Sequence, residues 1–206
     1  PLTPTITPSG KDVDLNSLQA VIALGRAVDA RDKSTQSHSV RVSRISQRIA
    51  STMGLSVDVI EIIRTGALLH DVGKIGIRDE VLLKPGRLSD EEFDAIRRHP
   101  EIGGAIVRPL SLPQDAVAIV ECHHERWDGR GYPNRLKGEE TPLLARIVSA
   151  ADAYEAMTAR RVYRDPLPAA VVREQIKKGR GSQFDAQVAD ILISLIDRED
   201  ESLRPA

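Results

Sequence analysis

Residue types that would mark several classes of protein are scarce in this chain of 206 residues. Cys122 is the only cysteine, which excludes a disulfide framework and leads us to expect a reducing, cytoplasmic location. No apolar run approaches the roughly 20 residues that span a bilayer, so we expect no membrane segment. The formal net charge of −1 gives no support to binding of a nucleic-acid polymer or a membrane surface.

What the chain does contain is a balance of 41% hydrophobic and 29% charged residues, which suits one well-buried globular domain. It starts at Pro1 without a visible signal peptide, so we expect a fragment of a longer protein. Residues 1–12 begin with PLTPTITPSG and are predicted to be a proline-rich linker tail. Residues 13–200 are predicted to form the domain.

Helical periodicity dominates the rest of the chain, and no alternating run of β-branched residues is long enough for a sheet. The predicted class is therefore all-α. A first helix, about 13–31, could connect to a missing upstream sensor or receiver domain, or it could be an ordinary packing helix. The other predicted helices are 34 or 35 to 54, 57–70, Ser89 to about His99, Pro113–His124, one from Thr141-Pro142 through Met157, 168–178 and 185–197.

The stretch on which the functional argument depends is LLHDVGK, residues 68–74. His70 offers a neutral nitrogen, and Asp71 offers two oxygens that can serve one divalent metal or bridge two. Gly73 would let the helix end tightly, and Lys74 could meet an anionic substrate as a point charge. Alone, a His-Asp pair at a helix end is more often a capped surface pair than a metal site.

The positions of the five histidines change that balance. All are predicted at or near the ends of apolar helices. With Asp71 and Asp152 they supply seven ligands, too many for one structural zinc but suited to two six-coordinate metals sharing Asp71 and a bridging water. Ligation without sulfur favours iron or manganese, since Cys122 is predicted to point into the core. The histidines are His38, His70, His99, His123 and His124.

Two metals beside a lysine indicate hydrolytic chemistry. The metals would lower the pKa of the bridging water, giving a hydroxide near neutral pH, and would neutralise a phosphoryl oxygen in the transition state. Lys74 would help to hold that oxygen. The set therefore favours phosphoester hydrolysis over redox work, although a di-iron pair could also activate oxygen.

These motifs, in their order and spacing, resemble the HD-GYP domain over about residues 15–198. The resemblance implies an all-helical HD-domain bundle with a metal site in its core. It also implies hydrolysis of the bacterial second messenger cyclic di-GMP to linear pGpG, and often on to GMP. The segments that carry it are LLHDVGKIGI (68–77), KPGRLSDEEF (84–93), RRHPEIGG (97–104), HHERWDGRGYP (123–133), LKGEETPLLARIVSAADAYEAMT (136–158), RRVYR (160–164) and GSQFDA (181–186).

Carried over residue by residue, the resemblance implies a binuclear centre with catalysis resting on Asp71 and Lys74, and with Lys74 on the scissile phosphate. The loop Gly131–Pro133 would border the substrate cleft, with Tyr132 near the ligand. Arg161 and Arg164 match the basic residues that bind the substrate's phosphates, a task that suits arginine's planar fork. The implied metal ligands are His38, His70, Asp71, His99, His123, His124 and Asp152.

The sequence departs from the family pattern at two positions. Trinuclear members have a glutamate four residues before the first histidine ligand, where this chain has Ser34, so we expect only two metals. The usual RPYR is RVYR here, and Val162 in place of proline loosens the loop that carries the two arginines without removing a ligand.

Two other functions stay open from the sequence. One is an HD phosphohydrolase acting on another nucleotide. The other is a weakly active or inactive receptor or interaction module, in which Trp127 and Tyr132 anchor a partner protein through the GYP loop. The sequence leaves open whether the chain forms a homodimer.

Overall fold

The computed structural model describes residues 15–31, 37–159 and 165–198. Within these ranges the chain is helical, with isolated β-bridges and no strand, which confirms the all-α prediction. The helices are α1 (Leu15–Arg31), α2 (His38–Thr52), α3 (Val57–Leu69), α4 (Asp79–Leu82), α5 (Asp90–Arg97), α6 (His99–Val107), α7 (Gln114–Cys122), α8 (Leu143–Thr158), α9 (Ala169–Gly179) and α10 (Ala186–Asp197). Short 3-10 turns lie at Val72–Gly76, Arg108–Leu110 and Gly138–Glu140.

Side-chain caps explain where several helices begin. The Ser56 hydroxyl accepts a hydrogen bond from the Val59 amide at the start of α3. The predicted capping box at Ser89 and Glu92 is present at the start of α5. Asp185 accepts hydrogen bonds from two amides in the first turn of α10. These caps fix the chain direction at the entry to each helix.

The hydrophobic core lies around α8, which packs against α2, α3, α7, α9 and α10. Its buried positions follow the helical repeat and include Leu144, Ile147, Val148 and Ala151. Cys122 is buried, as predicted, and burial raises the pKa of its thiol to about 11. Among the described residues, no helix combines the length and apolar character needed to cross a membrane.

The structure differs from the predicted helices in three places. The second helix begins at His38 and not at position 34 or 35; residues 32–36 themselves lie outside the described ranges. His99 starts α6 instead of ending the preceding helix, because Pro100 occupies the first turn, where a missing N–H costs nothing. Residues 75–86, between two of the predicted helices and expected to be a connector, contain the short helix α4.

Candidate metal centre

The predicted ligands are brought together because each sits where a helix starts or stops. His38 opens α2, and His99 opens α6. His70 and Asp71 directly follow α3, whereas His123 and His124 directly follow α7. Asp152 alone lies within a helix, on α8. The ends of these helices converge beside the core, so residues up to 114 positions apart in sequence share one site.

Two ligand groups meet at the Asp71 carboxylate. One group is His38, His70 and Asp71, and the other is Asp71, His99, His123 and His124; within each group the ligand atoms lie within 4.8 Å of one another. Asp71 Oδ2 lies 3.4 Å from His70 Nε2 and 3.7 Å from His38 Nε2. Asp71 Oδ1 lies 3.4 Å from His99 Nε2 and 4.0 Å from His123 Nε2. Each oxygen therefore faces a different pair of imidazoles.

Asp152 completes the first of these groups. Its Oδ1 lies 3.3 Å from His38 Nε2, which places a second carboxylate on the same side of the site. Burial alone would raise the pKa of Asp152, but the hydrogen bond and positive charge of His38 outweigh burial and lower it. The carboxyl is therefore ionised and available as a ligand.

Backbone carbonyls orient three of the imidazoles. The Nδ1 atoms of His70 and His99 each lie 2.8 Å from the carbonyl three residues earlier, and His123 repeats this at 3.0 Å. A carbonyl only accepts, so each Nδ1 carries the proton and each Nε2 presents a lone pair. His99 Nε2 and His123 Nε2 nevertheless lie 3.2 Å apart. Two facing lone pairs at this distance repel, and a shared cation removes the repulsion.

Charge around the site also favours a cation. Burial would lower the pKa of His38, but hydrogen bonds to Asp152 and Glu155 raise it to about 10. Burial would raise the pKa of Asp71, yet Lys74 and the neighbouring histidines hold it well below its usual range. In the other group burial dominates and lowers the pKa of His99 to about 4 and of His124 to about 3. His99, His124 and Asp71 are therefore in the neutral-imidazole and ionised-carboxylate forms that divalent first-row metals need, whereas His38 would release a proton on binding a metal.

Lys74 lies in the 3-10 turn that follows the His-Asp pair. Its Nζ is 2.5 Å from Asp71 Oδ2, and the side chain remains partly accessible. Gly73 does not act as a left-handed helix end. A Cβ at Gly73 would lie 1.9 Å from the His99 carbonyl oxygen, so glycine is required because this turn presses against α6.

The GYP loop lies against the second ligand group. The ring of Tyr132 is 4.8 Å from that of His124, and Tyr132–Pro133 is a cis peptide bond. Gly131 is buried, and a Cβ there would come within 2.6 Å of the backbone of residues 124–126. The Arg146 guanidinium lies 5.4 Å from the ring centroid of Trp127.

Two carboxylates that the sequence analysis does not identify support the site. Glu155 Oε2 lies 2.6 Å from His38 Nδ1, and Arg41 contacts the other oxygen. Glu125 is buried and accepts hydrogen bonds from the amides of Asn134 and Leu136, which fold the GYP loop back. Burial raises the pKa of Glu125, and these bonds partly offset that. The spacing of Glu155 three residues after Asp152, on the same helix face, is a signal that could have identified it.

A basic cavity of about 480 Å³ opens beside Tyr132. Arg97 lies over the rings of both Phe93 and Tyr132, at 4.6 and 5.7 Å from their centroids. Among the described residues, three other arginines of this wall have no carboxylate within ion-pair distance: Arg98, Arg130 and Arg135. The predicted phosphate-binding residues Arg161 and Arg164 lie outside the described residues, as do Ser34 and Val162.

Comparison with known proteins places this geometry in a family. A family model for the HD domain matches residues 23–188. The chain belongs to the HD domain family. That match, together with the names of its relatives, confirms the recognition made from the sequence motifs.

Three similar proteins illustrate the relationship. A cyclic di-GMP phosphodiesterase from Thermotoga maritima is 41% identical over 167 residues, covering 80% of this chain and 45% of that protein. A 3'3'-cGAMP-specific phosphodiesterase from Vibrio cholerae is 37% identical, covering 88% and 35%. The solved structure of an HD-GYP-type protein from Bdellovibrio bacteriovorus superposes with a TM-score of 0.67 at 20% identity, covering 92% and 74%. The chain thus spans half or less of the length of the curated relatives it matches.

Proposed function

We propose that this domain is a metal-dependent phosphodiesterase that hydrolyses cyclic di-GMP to pGpG, GMP or both. The observation that carries the proposal is the Asp71 carboxylate, whose two oxygens face two separate sets of buried imidazoles. One carboxylate shared by two ligand sets is the arrangement of a two-metal hydrolytic site. The names of the relatives support a cyclic dinucleotide as substrate.

The residues fit two divalent metals, iron or manganese, since the donors are imidazole nitrogen and carboxylate oxygen without thiolate. The first would be held by His38, His70, Asp71 and Asp152, and the second by Asp71, His99, His123 and His124. When bound, the metals supply an ionised water as nucleophile and neutralise charge on the phosphoryl group.

The chain's own groups would do the rest of the work. Lys74, next to Asp71, is placed to stabilise a nonbridging phosphate oxygen as negative charge grows on it. The contact with Asp71 directs the ammonium towards the site. Arg161 and Arg164 would hold the substrate's phosphates, as the family resemblance implies.

The basic cavity supports a dinucleotide over a mononucleotide. It shares Tyr132 with the metal centre, so it lies one side chain away from the proposed scissile phosphate. Its guanidinium groups can pair with a second phosphate or bind the acceptor edge of a guanine in a bidentate fashion. A substrate whose non-reacting half enters this cavity would gain orientation as well as affinity.

A second candidate substrate is 3'3'-cGAMP, because one similar protein carries that specificity in its name. Hydrolysis of another nucleotide, and a receptor role through the GYP loop, are the remaining alternatives. In a receptor the ligand would bind without turnover. A domain upstream of α1 would control the module, which we expect to act in the cytoplasm.

The test is turnover by protein purified without oxygen and loaded separately with Fe²⁺ or Mn²⁺. Cyclic di-GMP, 3'3'-cGAMP and cyclic di-AMP are supplied in parallel, and products are resolved by chromatography. Asp71→Ala should abolish product formation with the helical circular dichroism retained. Asp58→Ala, which removes an exposed carboxylate from α3, is the matched control. A loaded wild-type protein that binds cyclic di-GMP but releases no product would contradict the proposal and favour the receptor role.

A further inference from the structure

Arg31, the last residue of α1, forms hydrogen bonds to the turn that carries Lys74. Its NH1 group donates hydrogen bonds to the carbonyl oxygens of Lys74 and Ile75, both at 2.9 Å. Its NH2 group donates to the carbonyl of Ile77 at 2.6 Å. The guanidinium also pairs with Asp79, through Nε at 2.9 Å and NH2 at 2.8 Å. The five N–H donors of one arginine thus meet five acceptor contacts on residues 74–79.

The acceptors explain why arginine is needed here. The Lys74 carbonyl also accepts from the Ile77 amide at 3.1 Å, whereas the carbonyls of Ile75 and Ile77, beyond that last bond of the 3-10 turn, require an outside donor or water. A planar fork can reach three carbonyls and a carboxylate at once, whereas a lysine ammonium offers three donors from a single point. The contacts are to backbone, so Arg31 fixes the path of the chain and not merely a side-chain rotamer.

The opposite side of the same turn is equally constrained. Gly73 presses against the His99 carbonyl and the Gly103 amide of α6, where no Cβ fits. The turn is therefore held between α6 on one side and α1 on the other. The Lys74 side chain extends from this constrained turn, and its Nζ lies 2.5 Å from Asp71 Oδ2.

We propose that Arg31 is a positioning residue that sets the Lys74 ammonium against Asp71 and so against the phosphate being cleaved. The inference rests on the proposed function for the identity of that phosphate. It makes the end of α1 part of the catalytic apparatus, although Arg31 itself does not reach the metal ligands or the substrate. Any displacement of α1 would move the turn and reduce the contribution of Lys74.

The test is a double-mutant cycle between Arg31 and Lys74. Arg31→Met removes every donor but keeps the aliphatic length, Arg31→Lys restores some donors, and Arg26→Met is a control on an exposed arginine of the same helix. Arg31→Met should lower kcat by about 10- to 100-fold, the cost of a misplaced catalytic group. Arg31→Lys should recover part of this, and Arg26→Met should leave kcat unchanged. In the Lys74→Ala background, Arg31→Met should change kcat by less than about twofold. The effects of substituting two residues that act as one unit do not add.

Amide hydrogen exchange on the metal-free protein gives a readout independent of activity. The Lys74 and Ile77 amides donate to the carbonyls of Asp71 and Lys74. Arg31→Met should speed exchange in residues 72–77 and leave α8 unchanged. Equal loss of kcat in both Lys74 backgrounds, or unchanged exchange in this turn, would overturn the inference.

The same cycle measured with bis(4-nitrophenyl) phosphate separates this inference from the proposed function. Coupling of Arg31 to Lys74 on that simple phosphodiester, without turnover of any cyclic dinucleotide, would contradict the proposed substrate while supporting the positioning role. Turnover of cyclic di-GMP without coupling between Arg31 and Lys74 would support the proposed substrate and contradict the positioning role.

Discussion

His38 Nδ1 lies 2.6 Å from Glu155 Oε2, so a carboxylate on α8 orients the imidazole that opens α2. With Nδ1 donating to Glu155, His38 Nε2 faces Asp71 and Asp152. Arg41, one turn later on α2, contacts the other oxygen of Glu155. The carboxylate is therefore held between two residues of one helix, and it fixes both the ring plane and the tautomer of His38. A carboxylate behind a histidine also raises the basicity of the ligating nitrogen.

Replacing Glu155 by Ala should weaken metal binding at the His38 group about 10- to 100-fold, the usual effect of losing the partner behind a ligating histidine. The His99 group should retain its affinity, since Glu155 does not contact it. Competition against a chromophoric chelator with Mn²⁺ would resolve the two affinities. Glu139→Ala, in the exposed turn Gly138–Glu140, is the control. Two unchanged affinities in Glu155→Ala would show that the hydrogen bond does not matter for binding.

Gly131→Ala should displace the GYP loop. The loss of transition-state stabilisation calculated from kcat/KM should exceed the loss in the free energy of unfolding. The added Cβ would collide with the backbone at Glu125 and Arg126 at 2.5 Å, and neither neighbour can yield. Gly54→Ala is the comparison, because φ is +77° there but nothing lies within 4 Å. Gly54→Ala should lower the free energy of unfolding by about 1 kcal/mol without a change in kcat/KM. Steady-state kinetics and urea unfolding of both variants would distinguish the effects, and an unimpaired Gly131→Ala would contradict the role of the tight packing.

The clustering of the candidate metal ligands was predictable from the sequence because these residues are chemically distinctive and most of them sit at the ends of periodic segments. A histidine at or near the end of an apolar helix, repeated at four separate helix ends, is a pattern that local sequence encodes. The shared Asp71 carboxylate follows from the adjacent His-Asp pair. The assignment of each ligand to a particular metal does not follow, because it depends on how helices far apart in sequence pack.

The partners of the residues that support the site were not predictable for the same reason. Glu155 is 117 positions from His38, and Arg31 is 43 to 48 positions from its partners. Such contacts depend on tertiary packing, which periodicity does not specify. The start of α6 at His99 was missed for a different reason. Pro100 resembles a helix stop, although proline is equally suited to the first turn of a helix.

Arg97→Met should raise the KM for cyclic di-GMP about 10-fold, because a charged hydrogen bond is worth roughly 1.5–3 kcal/mol. Arg97 is held over Phe93 and Tyr132 and reaches Asp94 at 3.0 Å, so its guanidinium has a defined place in the cavity wall. Hydrolysis of bis(4-nitrophenyl) phosphate, which cannot fill the cavity, should be unaffected. Arg87→Met is an exposed control outside the cavity. An equal loss on both substrates would place the effect at the metal centre instead.

Asp29→Ala should destabilise the protein by about 1–2 kcal/mol, the cost of losing a helix cap. Ser37, at the start of α2, has φ 65° and makes no side-chain cap bond. Asp29 of α1 takes that place: its Oδ2 accepts from the Ser39 amide at 3.1 Å and its Oδ1 from the Ser39 hydroxyl at 2.9 Å. Urea unfolding would measure the cost, and Asp29→Asn, which keeps one acceptor oxygen, should lie between wild type and Asp29→Ala.

The same experiment distinguishes a cap from an indirect effect on the metals. Both oxygens of the Asp29 carboxylate accept from Ser39, so if Asp29 acts as a cap the loss should be the same size with chelator present as with metal bound. A loss seen only in the metal-loaded protein would mean that Asp29 acts by holding His38 for the metal, because ligand binding stabilises the folded state only when the ligand is there. Equal losses would establish that α1 caps the helix that opens with the first ligand, whether or not the site is filled.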